Sequence, residues 1–205
     1  VMLQPSPSLF PTIRSMQIFL DDFSSSSTGW PQLDDSTRMT GYSEGGMYGI
    51  ALKQPGSDGD ILIPHGFDLP LTTVELSFRA RPVGGSGYFG VECSYIDENN
   101  YLFIGISEGA YTIAKNENGT FTSFFNPFWL HDPAIVNENH EFQVQVRCGD
   151  DKIQLMINGY TLPAVDYSGM AGGDVLITVS STKDAVQDGL FYYEVLFDDL
   201  ELKAR

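Results

Sequence analysis

The sequence predicts an all-β protein, a closed two-sheet antiparallel β-sandwich. Three features indicate this fold: a period-two alternation of apolar and polar residues, turns rich in glycine and asparagine, and acidic pairs near both ends of the chain. The acidic phrases are Asp21-Asp22-Phe23 and Phe197-Asp198-Asp199. A sandwich limits its exposed edges by pairing its first strand with its last, so we expect these two phrases to lie side by side.

The alternation is clearest in four segments. Successive side chains of a strand point to opposite faces of the sheet, so every second apolar residue marks a buried face. The predicted buried positions are Val74, Leu76, Phe78 and Ala80; Phe89, Val91, Cys93 and Tyr95; Phe142, Val144, Val146 and Cys148; and Ile153, Leu155 and Ile157. Further strands are predicted at 46–53, 60–64, 101–107, 110–116, 120–125, 174–180 and 191–203, with Asn118-Gly119 as the strongest hairpin turn.

The composition fits one domain that functions outside the cytoplasm. The chain has 205 residues, 42% of them hydrophobic, which is enough for a single core, and we assign the sandwich to residues 17–205. Residues 1–16 contain three prolines among serines, which predicts an extended linker following a removed signal or anchor segment. The formal charge of −16 repels phosphate backbones and excludes nucleic-acid binding. No apolar run reaches the roughly 18 residues of a membrane-spanning helix.

Five short phrases follow one another along the chain in a fixed order and spacing. They are Asp21-Asp22-Phe23-Ser24 with Gly29-Trp30, Gly41-Tyr42 with Gly46-Met47-Tyr48, Gly90 to Asp97 with Asn100-Tyr101-Leu102-Phe103, Val146 to Asp150 with Ile157-Asn158-Gly159, and Phe197-Asp198-Asp199-Leu200. Together they resemble a bacterial branch of the concanavalin A-like lectin/glucanase superfamily. The resemblance covers residues 18–202 and implies a jelly roll of two curved sheets, usually extracellular, cell-surface or periplasmic and often tethered beside other domains. Related members include laminin-G-like modules, sugar-binding domains and domains of the keto-disaccharide hydrolase type.

The two cysteines, Cys93 and Cys148, both lie on predicted inward faces. In an oxidising compartment they would form one disulfide between two core strands. The alternative is a pair of buried free thiols that act as small hydrophobic residues.

The sequence offers little support for an enzyme. A retaining glucanase needs two carboxylates about 5 Å apart, and no strand carries two on one face, since Glu92 is the only carboxylate on the polar face of a central strand. The three histidines have no zinc-ligand spacing and are predicted to be exposed. The sequence therefore favours a non-catalytic protein and leaves an unusual active site open.

The outward positions of the central strands carry side chains suited to a sugar. Arginine forks, amides and a carboxylate hydrogen-bond to hydroxyls, and aromatic rings stack on pyranoses. If these strands are neighbours in one sheet, they form one binding face; the alternative is ordinary cross-strand pairing on a solvated face. The candidate ligand-binding residues are Arg79, Arg81, Tyr88, Glu92, Tyr101, Gln145 and Arg147.

The acidic pairs suggest a second kind of site. Asp22 and Asp199 would approach each other where the first and last strands pair, and calcium prefers carboxylate and carbonyl oxygens. A structural calcium held by these residues is one interpretation, and solvated acids at strand ends are the other. No cofactor is required by the sequence.

These observations predict an extracytoplasmic recognition or accessory module that binds carbohydrate without catalysis. Two alternatives remain open, a glycoside-acting enzyme and a structural or protein-interaction domain without a small ligand.

Overall fold

In a computed structural model, the chain forms two antiparallel β-sheets that pack face to face. The structure describes residues 16–136, 140–149, 151–167, 169–170 and 172–205. The predicted linker, residues 1–16, therefore lies outside the described residues except for Met16. The fold is the predicted two-sheet sandwich of jelly-roll type.

The described residues contain seventeen strands and two short 3-10 helices, joined by turns and loops. The helices are Ser26–Thr28 and Pro133–Ile135, and none of the described helices is long and apolar enough to cross a membrane. The strands are β1 Gln17–Asp21, β2 Leu33–Asp34, β3 Arg38–Tyr42, β4 Tyr48–Leu52, β5 Ile61–Leu62, β6 Val74–Gly85, β7 Gly87–Asp97, β8 Asn100–Ser107, β9 Ala110–Glu117, β10 Thr120–Ser123, β11 Leu130–His131, β12 Phe142–Cys148, β13 Lys152–Ile157, β14 Tyr160–Thr161, β15 Val165–Asp166, β16 Asp174–Ser181 and β17 Tyr193–Ala204.

The strands divide into a large and a small sheet. Among the described residues the large sheet has the order β14-β13-β12-β6-β17-β4-β3-β2, with β1 beside β17 and β15 beside β13. The small sheet has the order β10-β9-β8-β7-β16-β5, with β11 beside β9. Their inner faces form one core, which includes Phe78 and Val144 from the large sheet and Phe89 and Ile104 from the small sheet.

The predicted pairing of the chain ends is confirmed. Strand β1 runs antiparallel to β17, and Asp21 lies opposite Leu200. Asp21 is 5% exposed, and its carboxylate accepts hydrogen bonds from the Phe23 backbone N–H and the Trp30 indole Nε1–H, both at 2.8 Å. The Trp30 ring packs 4.9 Å from that of Tyr48. The first acid of the pair therefore fixes the start of the sandwich.

We expect Asp21→Ala to lower the free energy of unfolding by about 2–3 kcal/mol. The change leaves the Phe23 N–H and the Trp30 Nε1–H buried without their acceptor. Urea unfolding followed by tryptophan fluorescence measures the loss. The neighbouring Asp22→Ala is the matched control, because Asp22 is exposed. Equal losses in the two variants would contradict the role of Asp21.

The predicted disulfide is confirmed. Cys93 on β7 and Cys148 on β12 are bonded, with 6.6 Å between their Cα atoms. Both residues are buried, at 0% and 3% exposed. Because β7 belongs to the small sheet and β12 to the large sheet, this bond joins the two layers of the sandwich covalently through the core.

Candidate functional site

The structure separates the predicted ligand-binding residues into two groups on opposite sides of the molecule. Arg79 and Arg81 on β6, with Gln145 and Arg147 on β12, lie on the large sheet. The other predicted residues lie on the small sheet, namely Tyr88, Glu92 and Tyr101. The single ligand-binding face that the sequence predicted for all seven residues is therefore not formed. Alternation tells which residues of a strand share a face, but it does not tell which sheet the strand joins.

The outer face of the large sheet is held by cross-strand ion pairs. Arg79 contacts Asp198 at 2.6 Å, Asp199 at 2.9 Å and Glu141 at 3.3 Å. Arg147 lies 3.8 Å from Glu75. A groove of about 370 Å³ runs over this face, and none of the described residues that line it is aromatic. This face therefore has the character of an ordinary solvated sheet surface.

The residues proposed for calcium have other partners. The Asp22 carboxylate accepts hydrogen bonds from the Ser24 backbone N–H at 3.0 Å and from its hydroxyl at 2.7 Å, and Asp199 is paired with Arg79. The described residues contain no group of three or more histidine, cysteine or acidic side chains arranged to hold a metal. Calcium binding at Asp22 and Asp199 stays a prediction.

The outer face of the small sheet contains a cavity of about 100 Å³, which we call the acidic crevice. Two of its strands carry glycines at paired positions. Gly90 on β7 lies opposite Gly105 on β8, and neither contributes a side chain. A Cβ atom on Gly105 would lie 2.8 Å from the Phe103 ring and 3.0 Å from the Trp129 indole. The Phe103 and Trp129 rings therefore pack directly against the backbone of Gly105, where a larger side chain would clash with them. The crevice is lined by Asp58, Asp60, Tyr88, Glu92, Tyr101, Phe103, Phe121 and Thr178.

Two aspartates form one wall of the crevice. Asp58 and Asp60 precede β5, beside β16. The Asp60 carboxylate accepts a hydrogen bond from the Thr178 hydroxyl at 2.5 Å, and the Asp58 carboxylate accepts one from the Ser180 hydroxyl. The sequence interpretation missed both aspartates. Their signal was present as Asp58-Gly59-Asp60, since residues two apart share one face of an extended segment.

Glu92 lies inside the crevice with no hydrogen-bond or ion-pair partner among the described residues. The residue is 6% exposed. Burial, followed by the negative charges of Asp60 and Asp58, raises the pKa of Glu92 to about 8. The pKa of Asp60 is also raised, because its carboxyl is buried in the crevice although the residue as a whole is exposed. The hydrogen bond from the Thr178 hydroxyl acts in the opposite direction and lowers this pKa. At neutral pH Glu92 is therefore mainly protonated beside two carboxyl groups.

Aromatic rings surround these acids. The Tyr88 ring lies 5.7 Å from Phe103 and 5.4 Å from Trp129, and Tyr101 lies 6.4 Å from Phe121. At the rim, Phe121 and Phe128 stack with 5.8 Å between ring centroids and 29° between planes. These two phenylalanines remain 45% and 38% exposed. They provide an exposed apolar surface next to hydrogen-bonding groups, which we call the Phe121–Phe128 platform.

One histidine departs from its predicted exposure. The side chain of His65 is 5% exposed, its Nε2 lies 2.8 Å from the Asp174 carboxylate, and its Nδ1 accepts the Phe67 backbone N–H at 2.8 Å. The prediction of an exposed His65 was wrong because its polar loop folds back against β16. Its partners indicate a structural role.

Comparisons with known proteins support the architecture. No family model matches the sequence, and no curated protein matches it significantly. A protein of unknown function with a galectin-like fold from Bacillus subtilis is similar in structure, with a TM-score of 0.65, 9% identity, and coverage of 91% of this chain and 96% of that chain. These similarities show the fold.

Two further solved structures agree with that fold. The carbohydrate-binding module CBM66 from Bacillus subtilis has a TM-score of 0.57 and 15% identity, and the match covers 87% of this chain and 98% of that chain. The CBM2 module of the evolved Dit protein of Lactobacillus casei BL23 phage J-1 has a TM-score of 0.59 and 12% identity, with coverage of 92% and 95%. The fold is a galectin-like β-sandwich.

Proposed function

We propose that the protein is a non-catalytic carbohydrate-binding module and that its ligand binds at the acidic crevice. The observation that carries the proposal is the exposed Phe121–Phe128 platform beside a cavity with acidic and hydroxyl groups. Pyranose rings present an apolar C–H face and polar hydroxyls, so they need both surfaces at one place. The ion-paired face of the large sheet offers only the polar part.

The structural relatives support the same class. Two of them are named as carbohydrate-binding modules. The disulfide fits an oxidising extracellular, cell-surface or periplasmic location. We further propose distant membership of the concanavalin A-like superfamily, with the laminin-G-like or keto-disaccharide hydrolase-type branch as the candidates, and tethering through residues 1–16.

We expect Trp129→Ala and Tyr101→Ala each to weaken glycan binding at least about tenfold, because each removes a ring that supports the platform or lines the crevice. Calorimetric titration with the glycan selected from a polysaccharide panel measures the loss. Arg81→Ala and Arg147→Ala are the controls on the large sheet and should bind like the wild type. Melting curves confirm that all four variants are folded.

The opposite pattern, with loss in the two arginine variants and none in the aromatic variants, would place the ligand on the large sheet. Binding that is unaffected in all four variants would exclude both faces. Failure of the wild type to bind any glycan of the panel would instead favour a structural or protein-interaction domain.

Glycoside hydrolysis is the second candidate, favoured by one observation. Glu92 is a buried, protonated acid facing Asp58 and Asp60, and glycosidases pair a protonated carboxyl with an ionised one. The titration samples therefore also serve to measure newly released reducing ends. A non-catalytic module releases none, whereas release that is lost in Glu92→Gln would establish the enzyme.

A further inference from the structure

The acidic crevice has a charge that an uncharged sugar does not balance. Three carboxyl groups face it, from Asp58, Asp60 and Glu92, and none of the described residues that line it is a lysine, arginine or histidine. The nearest such side chain with a recorded contact is Arg38, whose guanidinium donates to the Asp60 backbone carbonyl at 3.4 Å and whose charge acts on the Asp60 carboxyl. Arg38 itself is not one of the residues that line the crevice.

The hydrogen bonding within the crevice is unequal. Asp58 and Asp60 each accept a serine or threonine hydroxyl, while Glu92 is more than nine-tenths buried, lines the cavity and has no partner among the described residues. A carboxyl that loses most of its contact with water and gains no protein partner has hydrogen-bonding capacity that a ligand in the cavity can fill. The ionised carboxylate of Glu92 only accepts hydrogen bonds, and the protonated carboxyl still accepts through its carbonyl oxygen, so a hydrogen-bond donor on the ligand fits Glu92 in either state.

Aromatic rings determine what kind of donor is favoured. Tyr88, Tyr101 and Phe103 line the crevice beside the acids, and aromatic rings attract organic cations, especially where water is excluded. A bare metal ion is disfavoured, since no group of three or more ligating side chains in the described residues is arranged to hold one. An ammonium group satisfies the carboxyls and the rings together, because it donates three hydrogen bonds and carries the missing charge.

The size of the crevice locates the rest of the ligand. A cavity of about 100 Å³ admits one substituent, whereas pockets that enclose whole ligands occupy roughly 300–1,000 Å³. Phe121 lines the cavity and stacks with Phe128, and both rings are partly exposed, so the platform is available for the ring that bears the substituent. A sugar ring stacked on the platform with its amino group in the cavity uses both parts.

We propose that the glycan bound at the acidic crevice is an amino sugar with free ammonium groups, such as a de-N-acetylated β-linked glucosamine oligomer. This inference rests on the carbohydrate-binding function proposed above and specifies its ligand class. Binding converts Glu92 to its ionised form, because the ammonium group replaces the proton as the charge partner. The complex therefore forms with proton release near neutral pH. The titratable groups that face Glu92 are Asp58, Asp60, Tyr88, Tyr95 and Tyr101.

The test compares glucosamine and N-acetylglucosamine oligomers of the same length at pH 6.5. The free amine should bind about tenfold more tightly or better, since a desolvated cation–aromatic contact alone contributes that much. Calorimetry in two buffers with different ionisation enthalpies should show proton release in the wild type and a smaller release in Glu92→Gln. Asp60→Asn retains an acceptor for Thr178 and should lose most of the preference. Asp151→Asn makes the same change in net charge at an exposed position just before β13 of the large sheet and should retain the preference.

Equal or tighter binding of the acetylated oligomer would overturn the amino-sugar assignment and leave carbohydrate binding intact. A preference that falls equally in Asp60→Asn and Asp151→Asn would also overturn it, because it would reflect net charge alone. Binding of choline without any oligomer binding would assign the crevice to a different cation. The proposed function itself fails only when the whole glycan panel, neutral and amino, does not bind.

Discussion

Glu92→Gln is expected to stabilise the protein at pH 9 by up to roughly 5 kcal/mol and to leave its stability at pH 4 almost unchanged. The wild-type carboxyl group is buried beside Asp60 and Asp58, which raises its pKa from 4.5 to about 8. Ionising it inside the crevice is costly. Glutamine has nearly the same shape, is always neutral and does not incur this cost.

The direction follows from proton binding in the two states. Below pH 4.5 the carboxyl of Glu92 is protonated in both folded and unfolded chains, so the contribution of its raised pKa to stability is fully present. Between pH 4.5 and about 8 the unfolded chain loses this proton while the folded chain keeps it, and stability falls. Above pH 8 both states are ionised and the difference is constant.

Urea unfolding from pH 4 to pH 9 measures this prediction as the difference between wild type and variant. The difference should grow across the window and then level off. Glu44→Gln, at an exposed position, is the matched control and should follow the wild type. Parallel profiles for wild type and Glu92→Gln would show that Glu92 is not buried in its acid form.

Removing the disulfide is expected to lower the free energy of unfolding by about 4 kcal/mol. Cys93 and Cys148 are 55 residues apart, and a cross-link over a loop of this length restricts the unfolded chain by about that amount. The bond also joins strands from different sheets, so its loss removes a constraint between the layers. The double variant Cys93→Ala/Cys148→Ala tests this by urea unfolding.

Reduced wild-type protein is the control for cavity formation, because it keeps both sulfur atoms but loses the bond. It should unfold at nearly the same urea concentration as the double variant. A reduced wild type as stable as the oxidised form would show that the cross-link contributes little, and would attribute any loss in the variant to packing.

Much of the fold follows from local pattern. Strict alternation located β6, β7, β12 and β13 and their buried faces, because a side chain's side of the sheet depends only on its position along an extended strand. The inward parity of Cys93 and Cys148 predicted the disulfide that the structure contains. The short strands β2, β11, β14 and β15 were not predicted, since two residues carry no periodicity. The five-residue strand β3 was also not predicted.

The alternation fails where the backbone is irregular. Tyr95 was predicted to point inward with Cys93. In the structure its ring lies 6.0 Å from that of Tyr101, on the outer side of the small sheet. The register between β7 and β8 shifts after Cys93, and Ser94 has a φ of 52°. An extra residue of this kind exchanges the two faces for everything that follows it.

The candidate site was predicted only in part, because it is assembled from separate segments. Tyr88, Glu92 and Tyr101 were each predicted as ligand-binding residues from their own strands. Asp58 and Asp60 were missed, because they come from an earlier segment of the chain that lies beside β16 in the small sheet. The arginines were grouped with Tyr88, Glu92 and Tyr101 because their strands show the same alternation. Pairing of β6 with β12 and of β7 with β16 places the two groups on different sheets.

The β class, the buried faces of the regular strands, the disulfide and the pairing of the chain ends can all be predicted from the amino-acid order. These features depend on local periodicity, on residue type and on the need to pair an exposed strand edge. The grouping of strands into sheets cannot be predicted in this way, and it is this grouping that brings Asp58, Asp60 and Glu92 to one cavity. Sheet membership depends on long-range strand pairing, and the raised pKa of Glu92 depends on burial and on charges contributed across that pairing.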